Sequence, residues 1–357
     1  MNFLKMTSKR CKAIKVNLGT WSIPIIIAGT FILVLLVFLA TTLAYPAEFK
    51  FITKWGTLGD GDGQFDHPYD VIVDGDGIVY VADTYNHRIQ KFTRDGVFLG
   101  GWGDYGTGDG QFNYTMGVAV DESGDIYVAD ACNHRVQKFT NKGTFLRSWG
   151  THGNGINQFE YPYDIAVDGF GNIYVTDSGN HRVQKFTNVG EFITEWGSYG
   201  SGDGQFQYPH GIVVDNSGNV YVADYYNNRI QVFTSDGDYL TQWGTYGADA
   251  GQLHNPKGVA VDNTGNIYVA DYHNNRIQKF TNAGTFLGTW GTNGTDNSQF
   301  STPKGVAIDS SGNIYIADTG NSCIKKFHVE PVPYTYISAS VTVAIPVAII
   351  AVIFKKR

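Results

Sequence analysis

The chain has 357 residues, 42% of them apolar, 14% aromatic and 17% charged, with 44 glycines and 3 cysteines. That is too apolar for a disordered chain and too poor in cysteine for a disulfide-built scaffold. The net charge of −7 hides a partition: residues 1–47 and 355–357 carry eight bases and no acids, while residues 48–330 hold all 33 acids against 18 bases. So acidic a body repels phosphates, which argues against nucleic acid as a partner.

The first elements in chain order explain the basic ends. Residues 1–22 read as a basic cytoplasmic tail. Residues 23–44 (IPIIIAGTFILVLLVFLATTLA) carry no charge and are long enough to cross a hydrocarbon core of about 30 Å. They are expected to form a transmembrane helix or uncleaved signal anchor. A cleaved signal peptide is the alternative, with a weak site at Thr42-Leu43-Ala44. Residues 337–354 form a second apolar span, followed at once by the basic tail 355–357. This span reads as a second transmembrane helix or, after Pro331-Val332-Pro333, as a sortase-type sorting signal. The Lys/Arg bias places both termini in the cytoplasm and residues 48–330 on the extracellular side of a cell membrane.

Residues 48–330 are one unit repeated. Trp55, Trp102, Trp149, Trp196, Trp243 and Trp290 are each 47 residues apart, as are Asp83, Asp130, Asp177, Asp224, Asp271 and Asp318. The copy Gly117–Gly150 parses into four short strands: a (Gly117–Val120), b (Ile126–Ala129), c (Arg135–Thr140) and d (Thr144–Trp149). Asp-Glu-Ser-Gly turns a into b, and Asn-Lys-Gly turns c into d. Strands b to d tend to alternate apolar and polar residues. Four strands per repeat of roughly 40–50 residues is the pattern of a β-propeller blade.

The motifs Asn86-His87-Arg88, Asn133-His134-Arg135 and Asn180-His181-Arg182 continue as Asn227-Asn228-Arg229 and Asn274-Asn275-Arg276 and degrade to Asn321-Ser322-Cys323. With the flanking GQF, VD, GNIYVAD, IQKF and WG elements, residues 49–329 resemble the NHL repeat family. The resemblance implies an all-β, six-bladed propeller. The family includes membrane-tethered sensors, ubiquitin-ligase and RNA-binding modules and an amidating lyase, so the fold does not choose the function.

The repeat phase implies how the ring closes. The chain enters on Phe49–Trp55, which matches strand d, and leaves on Cys323–Val329, which matches strand c. The N-terminal strand d is therefore expected to pair with the last strand c. The a–b and c–d turns then share one face, toward the membrane. The b–c loops and d–a connections share the other, available to partners.

Departures from the template mark candidate sites. Strand a opens on Tyr69, Met116, Tyr163, His210, Lys257 or Lys304, two of them followed by an acid, Asp70 and Asp164. With Tyr85, Tyr226 and His273 from the b–c loops, these are expected to ring the channel mouth. Tyrosine, a flat apolar ring with a polar tip, suits peptides and sugars. The expected function is a non-catalytic binding or adhesion scaffold for an extracellular protein, peptide or carbohydrate, with no cofactor and no bound metal. Contact with the lipid bilayer comes only through the two apolar spans. The alternatives are a metal-dependent lyase or lactonase using Asp70, Asp164 and His210, and a structural envelope component. The equal spacing of all six copies and the lack of a nucleophile–base set argue against an enzyme. The resemblance implies that the motif histidines His87, His134 and His181 pack between blades rather than bind metal, and on separate blades they need not converge. The Asp-Gly-Asp-Gly runs read as turns rather than calcium loops. Asn113 and Asn293 lie in glycosylation sequons. Cys132 and Cys323, on blades 2 and 6, are not expected to pair.

Overall fold

The computed structural model describes residues 48–330. They form six four-stranded antiparallel sheets. Blades 1 to 5 occupy Pro68–Trp102, Thr115–Trp149, Pro162–Trp196, Pro209–Trp243 and Pro256–Trp290, each with strands a to d in chain order. Blade 6 takes strands a to c from Pro303–Ile308, Asn313–Asp318 and Cys323–Glu330. Its strand d is Glu48–Trp55, paired from Glu48 opposite Glu330 to Trp55 opposite Ile324 with one bulge between Phe51 and Thr53. The ring is thus stitched by its own two ends, as the repeat phase implies, and Phe49 stacks on Trp290 at 3.3 Å.

The expectation of two flanking transmembrane helices is corrected. Among the described residues the only helices are short 3-10 turns, and none is long and apolar enough to cross a membrane. The spans 23–44 and 337–354 and the tails 1–22 and 355–357 lie outside the described residues.

Alternation holds in strand d of blades 1 and 3, where Phe98–Trp102 and Phe192–Trp196 show side chains in and out by turns. Strand b is buried at every position, for example Ile126–Asp130, because each blade is covered on both faces by its neighbours. The core accordingly lies between blades, as six clusters, one per seam. Tyr127, Ile165 and Phe186 share the seam of blades 2 and 3, for instance, and Phe65, Val81 and Tyr315 that of blades 6 and 1. Each of the first five tryptophans packs over the glycine of the next blade's c–d turn, such as Trp102 over Gly143 (φ +80°), where a Cβ would lie 2.7 Å from the indole.

Two recurring polar devices hold the blades. The aspartate ending strand a closes the a–b turn. Asp121 accepts Ser123 N–H and Asp125 N–H at 2.9 Å and the Tyr127 hydroxyl at 2.8 Å. On the same face, strand-c lysines lie over the strand-b tyrosines, and three of them reach the next blade's c–d turn. Lys91 donates to Asn141 O at 3.1 Å, Lys185 to Ser235 O at 2.8 Å and Lys326 to Arg94 O at 3.0 Å. Arg147 to Val189 O and Asn263 to Ser310 O brace two further seams. Blade 4 carries Val232 at the lysine position. Among the described residues no side-chain hydrogen bond crosses the seam of blades 4 and 5 at that level.

Candidate functional site

The b–c loops and d–a connections are shaped by the repeat motif. The buried Asp83 accepts Asp66 N–H at 2.8 Å through Oδ1. Its Oδ2 accepts Asn86 Nδ2, Arg88 Nε and Gln90 Nε2 at 2.9, 2.8 and 3.0 Å. Arg88 and Asn86 then donate to carbonyls of the incoming d–a connection, Gly61 and Gly59. One side chain therefore ties loop to connection in every blade. In blade 6, where the motif arginine is Cys323, Lys325 stands in the glutamine's place and pairs with Asp318 at 2.8 Å, both fully buried. The apparent decay of the last motif is thus repaired two residues on.

The motif histidine is a positioning acceptor. It closes a 3-10 turn in the left-handed region, at φ 54° for His87. Its Nδ1 accepts the backbone N–H of a second left-handed residue in the next blade's connection: His87 from Tyr114 at 3.0 Å and His181 from Tyr208 at 3.1 Å. Asn228 and Asn275 do the same through Oδ1, toward Asn255 and Thr302 at 2.9 and 2.8 Å. Histidine and asparagine interchange here because both present an acceptor at that reach. Burial holds His87, His134 and His181 below the ordinary imidazole range.

Each candidate site residue has a definite place. Strand-a openings do converge on the axis, but they close it rather than ring an open mouth. Tyr69, His210 and Lys257 are 8%, 6% and 7% exposed. Lys257 Nζ donates to Tyr69 Oη at 2.6 Å and Tyr163 Oη at 3.0 Å. It also lies within 4.5–5.6 Å of the ring centres of Tyr69, Tyr163, Tyr225 and Tyr272. Lys304 covers the Tyr69 ring at 4.1 Å. His210 is sandwiched between Tyr163 (3.7 Å) and Tyr225 (4.1 Å). Met116, half-buried, packs into the seam of blades 2 and 3. The narrowness has a backbone cause: a Cβ on Gly211 would lie 2.1 Å from Lys257 O, and one on Gly258 2.3 Å from Lys304 O.

Asp70 and Asp164 sit one residue deeper. Asp70 accepts Val118 N–H at 2.9 Å, and Asp164 accepts Ile212 N–H at 2.9 Å and Ile165 N–H at 2.8 Å. They fasten one blade to the next. Burial pushes Asp70 up to about 7, and burial together with the facing Asp70 raises Asp164 well above the carboxylate range. Asp70, Asp164 and His210 do not assemble a ligand set. No group of three or more His, Cys, Asp or Glu among the described residues is placed to hold a metal.

Tyr85, Tyr226 and His273 are exposed, in a wider aromatic layer than strand a and the b–c loops alone suggest. The d–a connections contribute Tyr105, Tyr199 and Tyr246, 68%, 64% and 68% exposed. Rings touch in series from rim to axis: Tyr199, His181, Tyr208, Tyr226, Tyr225, His210 and Tyr163. Tyr246, His254, His273 and Tyr272 form a second series. Repeat positions 105/199/246 and 114/161/208 carried this signal in the sequence. Asn113 is half-buried with its N–H on Asp130, Asn293 is exposed, and both lie on d–a connections. Cys132 and Cys323 are free thiols.

Comparison with known proteins agrees with this repeat structure. The model of the family described as "NHL repeat" matches six times, at residues 65–92, 112–139, 159–186, 206–233, 253–280 and 300–327. The B-box type zinc finger protein ncl-1 of Caenorhabditis elegans is 51% identical over 45 residues, 13% of this chain. The match spans 5% of that relative's length. Among solved structures, a catalytically inactive virginiamycin B lyase from Staphylococcus aureus with quinupristin is similar (17% identity, TM-score 0.56, 79% of this chain and 100% of that one). So is a gluconolactonase from Xanthomonas campestris (16% identity, TM-score 0.58, 80% and 97%). At such identities the likeness is one of fold. The expectation that the chain is not an enzyme is corrected by it: lyase and lactonase chemistry is carried on this same architecture, so even blade spacing gives no ground for the exclusion.

Proposed function

We propose, from the premise that the chain belongs to the NHL repeat family, that its b–c/d–a face docks an extended peptide or carbohydrate. The observation that carries this reading is the continuous series of touching Tyr and His rings running from the exposed Tyr199 to the axial Tyr163. Ring faces of this kind supply large contact area at low entropic cost, and their hydroxyl and imidazole tips orient a polar ligand. The rings are pre-placed by the Asp–Asn–Arg ties and left-handed turns, so little ordering is left to be lost on binding. The residues that would touch ligand are Tyr85, Tyr199, Tyr226, Tyr246 and His273, with Lys257, Lys304, Tyr69 and Tyr163 at the centre.

The test uses the full chain against arrays of defined glycans and peptides. Tyr226→Ala and Tyr246→Ala are expected to weaken any hit about tenfold, the loss usual for a stacked anchor of roughly 1–2 kcal/mol. Phe170→Ala, 94% exposed on an a–b turn of the opposite face, is the control and leaves binding unchanged. A hit lost in Phe170→Ala and kept in both tyrosine variants refutes the assignment of the face.

A further inference from the structure

Lys257 and Lys304 open strand a in adjacent blades and both turn into the axis. Neither forms an ion pair among the described residues. The carboxylates one residue deeper, Asp70 and Asp164, spend their oxygens on Val118, Ile212 and Ile165 N–H groups. His210, 6% exposed, has Nδ1 without a partner in the same cluster. Two amines, an imidazole nitrogen and the hydroxyls of Tyr69 and Tyr163 therefore share one buried spot, and the carboxyls of Asp70 and Asp164 that also line it are held by backbone N–H groups rather than paired with either lysine. Burial and the neighbouring Lys304 hold Lys257 well below the ordinary lysine range, the response of a buried amine that lacks a counter-charge, and a buried polar atom without a hydrogen bond is costly.

We infer that this cage receives one carboxylate group, carried by the ligand that lies on the aromatic face. The inference rests on that docking reading and names the ligand's chemistry. A carboxylate supplies the ion-pair partner that neither lysine has and an acceptor for a His210 Nδ1–H. The cavity lined by Tyr69, Asp70, Tyr163, Asp164, Lys257 and Lys304 is about 10 Å³, room for one water-sized group. One oxygen of a carboxylate fills such a space. The charged and titratable groups facing the spot are Lys257, Lys304, His210, Asp70 and Asp164. Burial pushes Lys304 down to about 8, so an arriving anion draws a proton onto it near that pH.

The experiment is calorimetry on the full chain with two pairs of twins that differ only in the carboxylate: D-glucuronate against D-glucose, and N-acetyltyrosine against its amide. At least one acid is expected to bind tenfold or more tighter than its twin, with proton uptake at pH 8 measured in buffers of different ionisation enthalpy. Lys304→Gln is expected to erase the preference while keeping the melting temperature. Which pair shows it separates a sugar acid from a peptide terminus. Equal binding of the twins, a preference that survives Lys304→Gln, or equally tight inorganic phosphate overturns the inference. If the twins fail to bind while a longer neutral ligand binds and is weakened by Tyr226→Ala, the carboxylate cage falls and the docking face stands. If no ligand depends on Tyr226, both fall.

Discussion

Substituting Gly211 by alanine tests how tightly the axis is closed. An added Cβ would lie 2.1 Å from Lys257 O, 3.0 Å from Gly258 Cα and 3.0 Å from Val259 N. Ordinary contact begins near 3.4 Å, so strand a of blade 5 must retreat by more than 1 Å. Every atom in the way is backbone, so no side chain can swing aside. The cost therefore belongs at the upper end of the overpacking range, about 3 kcal/mol. For a domain of this size that is roughly 5 °C in melting temperature. Gly169 is the matched control: it is exposed, its φ is not positive, and a Cβ there meets nothing within 4 Å. Gly169→Ala is expected to be neutral or to stabilise by about 0.5 kcal/mol. Differential scanning calorimetry of both variants decides. A Gly211→Ala melting temperature within 1 °C of the parent would show that the axial strands give freely and that the closed mouth is no constraint.

Three further outcomes follow from the same geometry. Because burial depresses the pKa of His87, His134 and His181, the unfolded chain takes up protons first as pH falls below about 6.5, so stability is complete above that pH and declines toward pH 5. The triple His→Asn variant, which copies blades 4 and 5, is expected to show a flatter melting temperature between pH 7 and 5; an unchanged slope counts against the acceptor role. Lys325→Met strips the fully buried Asp318 of its cation and is expected to cost about 3–5 kcal/mol of unfolding free energy, read from urea titration. The double change Cys323→Arg, Lys325→Gln restores the template and should recover most of that loss; no recovery would refute the repair. Deleting residues 48–55 leaves the last strand c as an open edge and is expected to produce concentration-dependent oligomers by light scattering, whereas a stable monomer would show that the seal is dispensable.

The ring and its closure were legible because a 47-residue period fixes each strand's place without reference to any neighbour in space. Strand b was misread as alternating because its burial on both faces is set by adjacent blades, which a single repeat does not display. The axial residues were located correctly but given the wrong exposure. Tyr69, Tyr163 and Lys257 come from blades 1, 3 and 5, and only the closed ring shows that their side chains meet and fill the opening. Lys325 was legible in principle, standing where five other copies carry glutamine, yet its meaning depends on Cys323 lying beside the same aspartate. The aromatic d–a connections stand out less in the sequence because their position differs from copy to copy, as Leu58, Tyr105, His152, Tyr199, Tyr246 and Asn293.

Val232 makes the six joints of the disc unequal. Five have an outer strut on the a–b side, supplied by Lys91, Arg147, Lys185, Asn263 or Lys326. Between blades 4 and 5 the load falls on the apolar cluster around Leu253, Val259 and Phe280 and on the asparagine contacts of the opposite face. A hoop with one unbraced joint yields there first. Local breathing, and any widening of the axis beside Lys257, is accordingly set by the one copy that exchanged a long cation for a short hydrocarbon.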